Sequence, residues 1–123
     1  MRTLLLVDDD HDGLPIRRMI FERAGFQVSA ATSATEARAV FCTKPTEIVL
    51  LDLHLPELED GCSLIRDLRA QSPGVRIVVL SGFAGDFHRR PEASMIDLIL
   101  EKPLRSEKLL RAIAGAIDGP PSL

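Results

Sequence analysis

Three short segments of the sequence are dominated by apolar residues and stop at a polar side chain. They are residues 3–7, which stop at Asp8, residues 48–51, which stop at Asp52, and residues 76–80, which stop at Ser81. Short apolar runs without alternation are typical of strands that are buried on both faces of a parallel sheet. Because helices must then cover both sides of the sheet, this feature restricts the chain to α/β folds.

Segments with the helical spacing of apolar side chains lie between and after these strands. Their apolar positions are Ile16, Met19 and Ile20; Ala37, Val40 and Phe41; Leu64, Ile65 and Leu68; and Leu109, Leu110, Ile113 and Ile117. The side chain of Asp12 is placed to cap the first helix. With two further strands at 27–31 and 98–100, the sequence predicts a doubly wound parallel sheet in which five strands alternate with five helices.

The fourth helix is predicted to be short or irregular. Pro91 falls where that helix would have its interior, and a proline in a helix interior costs about 3 kcal/mol. A length of 123 residues suits a single domain. We expect that domain to cover 1–118, followed at 119–123 by a tail or by the start of a linker.

Composition and charge exclude several classes of protein. The net charge of -3 comes without the basic stripe that a nucleic-acid-binding surface carries. No apolar run approaches the length of a membrane span, and the N-terminus lacks the pattern of a signal peptide, so we expect a cytoplasmic protein. Cys42 and Cys62 have no metal-ligand spacing, which predicts free thiols.

Acidic side chains are predicted to gather at one edge of the sheet. In a sheet of order 2-1-3-4-5, ligands collect beyond the ends of the first and third strands, which here end at Asp8, Asp9 and Asp52. Carboxylates about 5 Å apart repel by roughly 3 kcal/mol per pair at an effective dielectric of about 20, so a cation is expected, and Mg2+ suits such a site. Ser81 and Lys102, at the ends of two other strands, add a hydroxyl and a positive charge.

Taken together, these motifs resemble one known family. They are Val7-Asp8-Asp9-Asp10, Leu51-Asp52 with Pro56, Leu80-Ser81-Gly82 and Glu101-Lys102-Pro103. Their order and spacing resemble those of response regulator receiver domains, the phosphoacceptor domains of two-component signalling. The resemblance covers roughly residues 3–117, and it implies a flavodoxin-like fold with strand order 2-1-3-4-5.

The resemblance also implies roles for individual residues. Asp52 would accept a phosphoryl group from a phosphohistidine or a small phosphodonor. The implied Mg2+ ligands are Asp8, Asp9, Asp52 and a backbone carbonyl near His54. Lys102 and Ser81 would bind phosphoryl oxygens, and Ser81 would move toward the group when it arrives.

Further positions would tune the site and transmit its state. Gly82 would leave room for the phosphoryl group, while His54 and Phe83 would flank it and control the access of water. Ile99 stands where the family often has a Tyr or Phe that turns inward on activation, and the chain has no Tyr or Trp. The switch position is therefore aliphatic in this sequence.

The implied phosphodonor is a histidine kinase or a histidine phosphotransfer protein, and the downstream protein target is not specified by the sequence. We expect a monomer or a weak homodimer, with no nucleic-acid or membrane contact by this domain. We expect no enzyme activity beyond self-phosphorylation from donors and slow loss of the phosphoryl group.

Three alternative functions stay open at this point. The first is a degenerate receiver that binds partners without phosphorylation. The second is an aspartate-nucleophile phosphohydrolase, although the haloacid dehalogenase family uses a DxD motif and this chain has Asp52-Leu53-His54. The third is a flavodoxin-like cofactor binder, for which the chain lacks a glycine-rich phosphate loop.

Overall fold

A parallel sheet of five strands lies at the centre of the fold. The computed structural model describes residues 2–82 and 85–118, and for 116–118 the backbone alone. The strands are β1 (Thr3–Val7), β2 (Gln27–Ala31), β3 (Ile48–Asp52), β4 (Arg76–Ser81) and β5 (Leu98–Glu101). All neighbouring pairs are parallel, and the order is β2-β1-β3-β4-β5. The predicted doubly wound sheet is confirmed.

Four α-helices and two short 3-10 segments connect and follow the strands in the described residues. They are α1 (Gly13–Arg23), α2 (Ala34–Thr43), α3 (Leu58–Gln71), α4 (Ser106–Asp118), η1 (Phe87–Arg89) and η2 (Pro91–Met95). The prediction of five helices was wrong by one, because η1 and η2 stand where the fourth helix was expected. Pro91 begins η2, a position at which the missing N–H leaves no hydrogen bond unmade. The irregularity predicted from Pro91 is thus confirmed, and it extends to loss of the α-helix.

Alternate side chains of the sheet enter two separate apolar clusters. Leu5 and Val49 lie in one cluster with residues of α2 and α3. Leu4 and Leu50 lie in the other with residues of α1 and α4. Successive strand residues point to opposite faces, so burial of both faces requires the unbroken apolar runs seen in the sequence. Burial of both faces also sets the register of the strands. The register in turn determines where each strand ends relative to its neighbours.

The two ends of α1 are closed in different ways. Asp12 occupies the N-cap position, but its side chain makes no capping hydrogen bond, so the predicted cap was wrong. Asp10 Oδ1 accepts hydrogen bonds instead from the backbone N–H of Asp12 at 3.2 Å and of Gly13 at 3.1 Å. At the other end, Gly25 has a φ of 100°, the left-handed conformation in which glycine commonly ends a helix.

Four charged side chains, called here the Glu92 cluster, attach η2 to α3. They are Glu59, Arg66, Arg90 and Glu92. Glu92 accepts hydrogen bonds from Arg66 Nη1 at 3.0 Å and from Arg90 Nε at 2.9 Å, and only 4% of its side chain is exposed. Burial acts to raise the pKa of Glu92, but the hydrogen bonds from Arg90 and Arg66 outweigh it and lower the pKa to about 2. The segment that replaces a helix is therefore held by charge as well as by apolar packing.

The last helix, α4, extends to Asp118. The predicted tail or linker at 119–123 lies outside the described residues. Among the helices of 2–82 and 85–118, none has both the length and the apolar character that crossing a bilayer requires.

Candidate functional site

Three carboxylates meet where β1 and β3 end. In the pairing of these strands Val7 lies opposite Leu51, so Asp8 and Asp52, the next residues, emerge at the same edge of the sheet. Oxygen atoms of Asp8, Asp9 and Asp52 all lie within 4.8 Å of one another. Asp8 is buried, Asp52 is half-buried and Asp9 is exposed. The cluster predicted from the strand ends is therefore present, and it opens to solvent on the side of Asp9.

Both carboxylate oxygens of Asp52 have a hydrogen-bond donor. The Nζ atom of Lys102 lies 2.6 Å from Oδ2, and the backbone N–H of His54 donates to Oδ1 at 3.1 Å. Lys102 follows β5, and its backbone N–H donates to the carbonyl oxygen of Ser81 at 2.9 Å. This bond anchors the lysine backbone to the end of β4. The side chain of Asp52 keeps 12% of its surface exposed, so a small group can reach it from solvent.

The buried carboxylate of Asp8 also has a donor on each oxygen. Oδ1 accepts from the backbone N–H of Asp10 at 2.9 Å, and Oδ2 accepts from Arg17 Nη1 at 2.8 Å. The sequence analysis gave Arg17 no role in this site. A signal was present, since Arg17 follows the buried Leu14 by three residues and precedes the buried Phe21 by four, a spacing that places it on the inward face of α1.

The charges of the site do not balance without a further cation. Three carboxylates face the ammonium group of Lys102 and the guanidinium group of Arg17, which leaves one negative charge in excess. The donor set consists of hard oxygen atoms that lie close enough together to share one ion. Mg2+ prefers such ligands, so the residues present fit the metal predicted from the sequence. The side chain of His54 is exposed and does not join this group of oxygens.

The remaining predicted site residues lie around this edge of the sheet. Ser81 is fully buried at the end of β4, one residue beyond Leu80, which pairs with Asp52. Gly82 is exposed, and a Cβ atom there would meet nothing within 4 Å, so packing does not require a glycine at this position. Ile99 is half-buried in β5 and packs against the apolar cluster shared with α2 and α3. Phe83 lies outside the described residues.

Gly61 is a second residue of the site region that sequence reasoning missed. It lies in the first turn of α3, and a Cβ atom there would stand 2.0 Å from the carbonyl oxygen of Leu53. No side chain fits at that distance, so the glycine lets α3 touch the backbone that directly follows Asp52. A glycine near the start of an otherwise amphipathic helical segment was the available signal.

Comparison with known proteins decides between the families that share this architecture. The family model described as the response regulator receiver domain matches residues 4–114. The chain belongs to the response regulator receiver family. This match confirms the predicted family, and a phosphoacceptor signalling switch is a function that fits this family. The phosphohydrolase and flavin-binding alternatives are not favoured.

Relatives of this receiver domain include longer regulatory proteins. It is 37% identical over 82 residues to photosynthetic apparatus regulatory protein RegA of Cereibacter sphaeroides, covering 67% of this chain and 44% of RegA. It is 31% identical over 115 residues to transcriptional regulatory protein GltR of Pseudomonas aeruginosa, covering 91% of this chain and 47% of GltR. The receiver domain thus matches less than half the length of either relative.

Solved structures show the same fold. A response regulator receiver domain protein from Clostridium thermocellum superposes with a TM-score of 0.85 at 25% identity, over 96% of this chain and 95% of that one. The likeness therefore extends over nearly the whole of both chains.

Proposed function

We propose that this receiver domain is a phosphorylation switch in which Asp52 accepts a phosphoryl group. The observation that carries the proposal is the position of the Asp52 carboxylate, which lies close to two further carboxylates and 2.6 Å from the Lys102 ammonium group. Phosphoryl transfer depends mainly on positioning and on neutralising the charge of the phosphoryl oxygens. A lysine and a site for a divalent ion, both next to the acceptor, supply the positioning and the positive charge.

In the proposed step, a carboxylate oxygen of Asp52 forms a bond to phosphorus while the bond between phosphorus and its donor breaks. The donor is a phosphohistidine of a histidine kinase or histidine phosphotransfer protein, or a small compound such as acetyl phosphate. The released group keeps the electron pair of the broken bond and takes up a proton where it needs one. Lys102 then transfers its hydrogen bond from Asp52 to a phosphoryl oxygen, while the backbone N–H of His54 continues to hold the acceptor.

Asp8, Asp9 and Asp52 are the proposed side-chain ligands of Mg2+, with a backbone carbonyl near His54 as a further ligand. Support comes from the short separation of the three carboxylates and from the excess negative charge of the site. When bound, Mg2+ supplies positive charge to the phosphoryl oxygens. Removal of the ion with a chelator is therefore expected to abolish phosphorylation of Asp52.

Other residues are proposed to sense and protect the phosphoryl group. Ser81 offers a hydroxyl to a phosphoryl oxygen, and its movement together with Ile99 shifts the population of two states of the domain. Gly82 admits the group, and Phe83 and His54 control the access of water to it. Replacement of Phe83 by Ala is expected to shorten the lifetime of the acyl phosphate, and an unchanged or longer lifetime would contradict the role of Phe83.

The proposed partners are a phosphodonor protein and a downstream protein that binds one state of the switch. The chain is similar to part of RegA and part of GltR, in each case less than half of the protein. Both are named as regulatory proteins, and this similarity supports a regulatory role for the domain. No contact with nucleic acid is proposed for the domain itself. A cytoplasmic location is part of the proposal, since phosphorylated kinases and phosphotransfer proteins would meet the domain there.

Mass spectrometry of the intact protein tests the central claim. Incubation with acetyl phosphate or phosphoramidate and Mg2+ is expected to add one phosphoryl group, which the Asp52→Asn variant does not acquire. Asp12→Asn is the matched control, because Asp12 is exposed and its side chain makes no capping hydrogen bond. An adduct that persists in Asp52→Asn would show a different acceptor, and no adduct from any donor would favour a degenerate receiver that acts by binding alone.

A further inference from the structure

The side chain of Arg17 reaches into the carboxylate cluster from α1. Its Nη1 atom lies 2.8 Å from Asp8 Oδ2, with 26% of the arginine side chain and 3% of the aspartate side chain exposed. Lys102 approaches the same cluster from the end of β5 and contacts Asp52. Two cations of the chain therefore hold two different carboxylates of the proposed metal site. The role proposed above uses Lys102 but leaves Arg17 without one.

Asp8 has no oxygen without a donor in this arrangement. Oδ1 accepts from the backbone N–H of Asp10, and Oδ2 accepts from Arg17. Each oxygen of an ionised carboxylate can accept more than one bond, but a metal ion on Asp8 would stand close to the guanidinium charge of Arg17, and the two positive charges repel each other. The backbone of Asp10 is fixed at the start of the turn that its own side chain closes onto Gly13, whereas Arg17 is attached through a long side chain with access to solvent. Arg17 is thus the donor that can leave.

We propose that Arg17 is an internal counter-ion that competes with the divalent cation for Asp8 and so sets the metal affinity of the site. Without metal, the guanidinium group neutralises a buried carboxylate that would otherwise have a single backbone donor. With metal bound, Arg17 releases Asp8 Oδ2. The inference rests on the metal site proposed above and adds a residue that opposes loading of that site. It follows that the metal-free domain is stabilised by the same contact that weakens metal binding.

Isothermal titration of Mg2+ and spin resonance titration of Mn2+ into the full chain measure this competition directly. Neither method needs an aromatic reporter near the site, which suits a chain without Trp or Tyr. Arg17→Met removes the charge but keeps an unbranched apolar side chain. Arg18→Met is the matched control, because it removes the same charge from the next residue, which pairs with Glu22 and the backbone of Val28.

Removal of Arg17 is expected to tighten binding of the divalent ion. Loss of a competing unit charge beside a partly screened site lowers the Kd for Mg2+ on the order of tenfold, whereas Arg18→Met changes it less than about twofold. In a chelator, Arg17→Met is expected to unfold at a lower temperature than the native chain, because Asp8 is then buried with an unpaired charge. Saturating Mg2+ removes this difference, since ligand binding stabilises the folded state.

The possible outcomes separate this inference from the proposed metal site. If the native chain binds Mg2+ and Arg17→Met binds it equally or more weakly, Arg17 is not a competitor and the inference is wrong. If neither protein binds Mg2+ or Mn2+, the metal site and the inference both fail. Arg17→Gln provides a second variant should Arg17→Met not fold without metal, because it removes the charge but keeps a side chain that can donate a hydrogen bond. It is expected to give a Kd below that of the native chain, and a Kd at or above the native value would overturn the inference.

Discussion

The Glu92 cluster leads to a quantitative prediction about stability. Replacement of Glu92 by Gln keeps the size of the side chain but removes the charge that Arg66 and Arg90 neutralise. The pKa of Glu92 is lowered from 4.5 to about 2 in the folded chain, and each pKa unit corresponds to about 1.4 kcal/mol. The full shift would be worth roughly 3 kcal/mol. Because the arginine side chains are 42% and 31% exposed, solvent screens part of it, and we expect a loss of about 2 kcal/mol at neutral pH.

The pH dependence of this loss has a definite sign. A carboxyl group with a lowered pKa in the folded state stabilises the fold at pH values above its unfolded pKa. That contribution declines as the pH falls through the folded pKa. The difference in unfolding free energy between the native chain and Glu92→Gln should therefore be greatest above about pH 5 and should shrink steadily toward about pH 2.

Urea unfolding followed by far-ultraviolet circular dichroism measures this difference at each pH. Glu47→Gln is the matched control, because the exposed side chain of Glu47 forms no ion pair within the described residues, and it should change stability by less than about 0.5 kcal/mol. A loss in Glu92→Gln no larger than in the control would refute the reasoning. A loss that stays constant between neutral and acidic pH would refute it as well, because the effect would then not come from the charge of Glu92.

Two further predictions follow from the packing of α3. Gly61→Ala places a Cβ atom 2.0 Å from a backbone oxygen and should lower the unfolding free energy by about 2 kcal/mol or more. Gly74→Ala is the control and should have little effect, because its Cβ atom meets nothing within 4 Å. Equal losses of stability in urea unfolding would contradict this prediction. Cys42 should react with a thiol reagent quickly at neutral pH and Cys62 slowly, because Cys62 is fully buried and burial raises the pKa of its thiol to about 11. Peptide mapping after a short exposure checks the second prediction, which modification of both thiols at one rate would disprove.

The sequence was sufficient for the sheet and for the carboxylates because both depend on position along the chain. Apolar runs that stop at Asp8 and at Asp52 determine where two neighbouring strands end, and parallel pairing then brings those ends together. The same reasoning placed Lys102 after the last strand. None of these steps requires knowledge of how a side chain is oriented.

Residues whose role depends on the packing of helices could not be predicted in the same way. Arg17 reaches Asp8 only because α1 turns that side towards the sheet, and periodicity reveals the face of a helix but not the partner of a long side chain. Gly61 is required by the approach of α3 to a loop, which is a contact between distant segments. Pro91 predicted an irregular fourth helix. The Glu92 cluster could not be predicted in the same way, because it joins side chains of α3 to side chains at η2.

The last strand, β5, has a consequence for the way the molecule meets other molecules of its kind. It lies at the edge of the sheet, where unpaired backbone groups invite pairing with a foreign strand, but it is only four residues long. Glu101, Lys102 and Pro103 close it with two charges and a residue that has no N–H to donate. The lysine that contacts Asp52 thus also shortens the stretch that intermolecular β-pairing, and hence aggregation through this edge, could use.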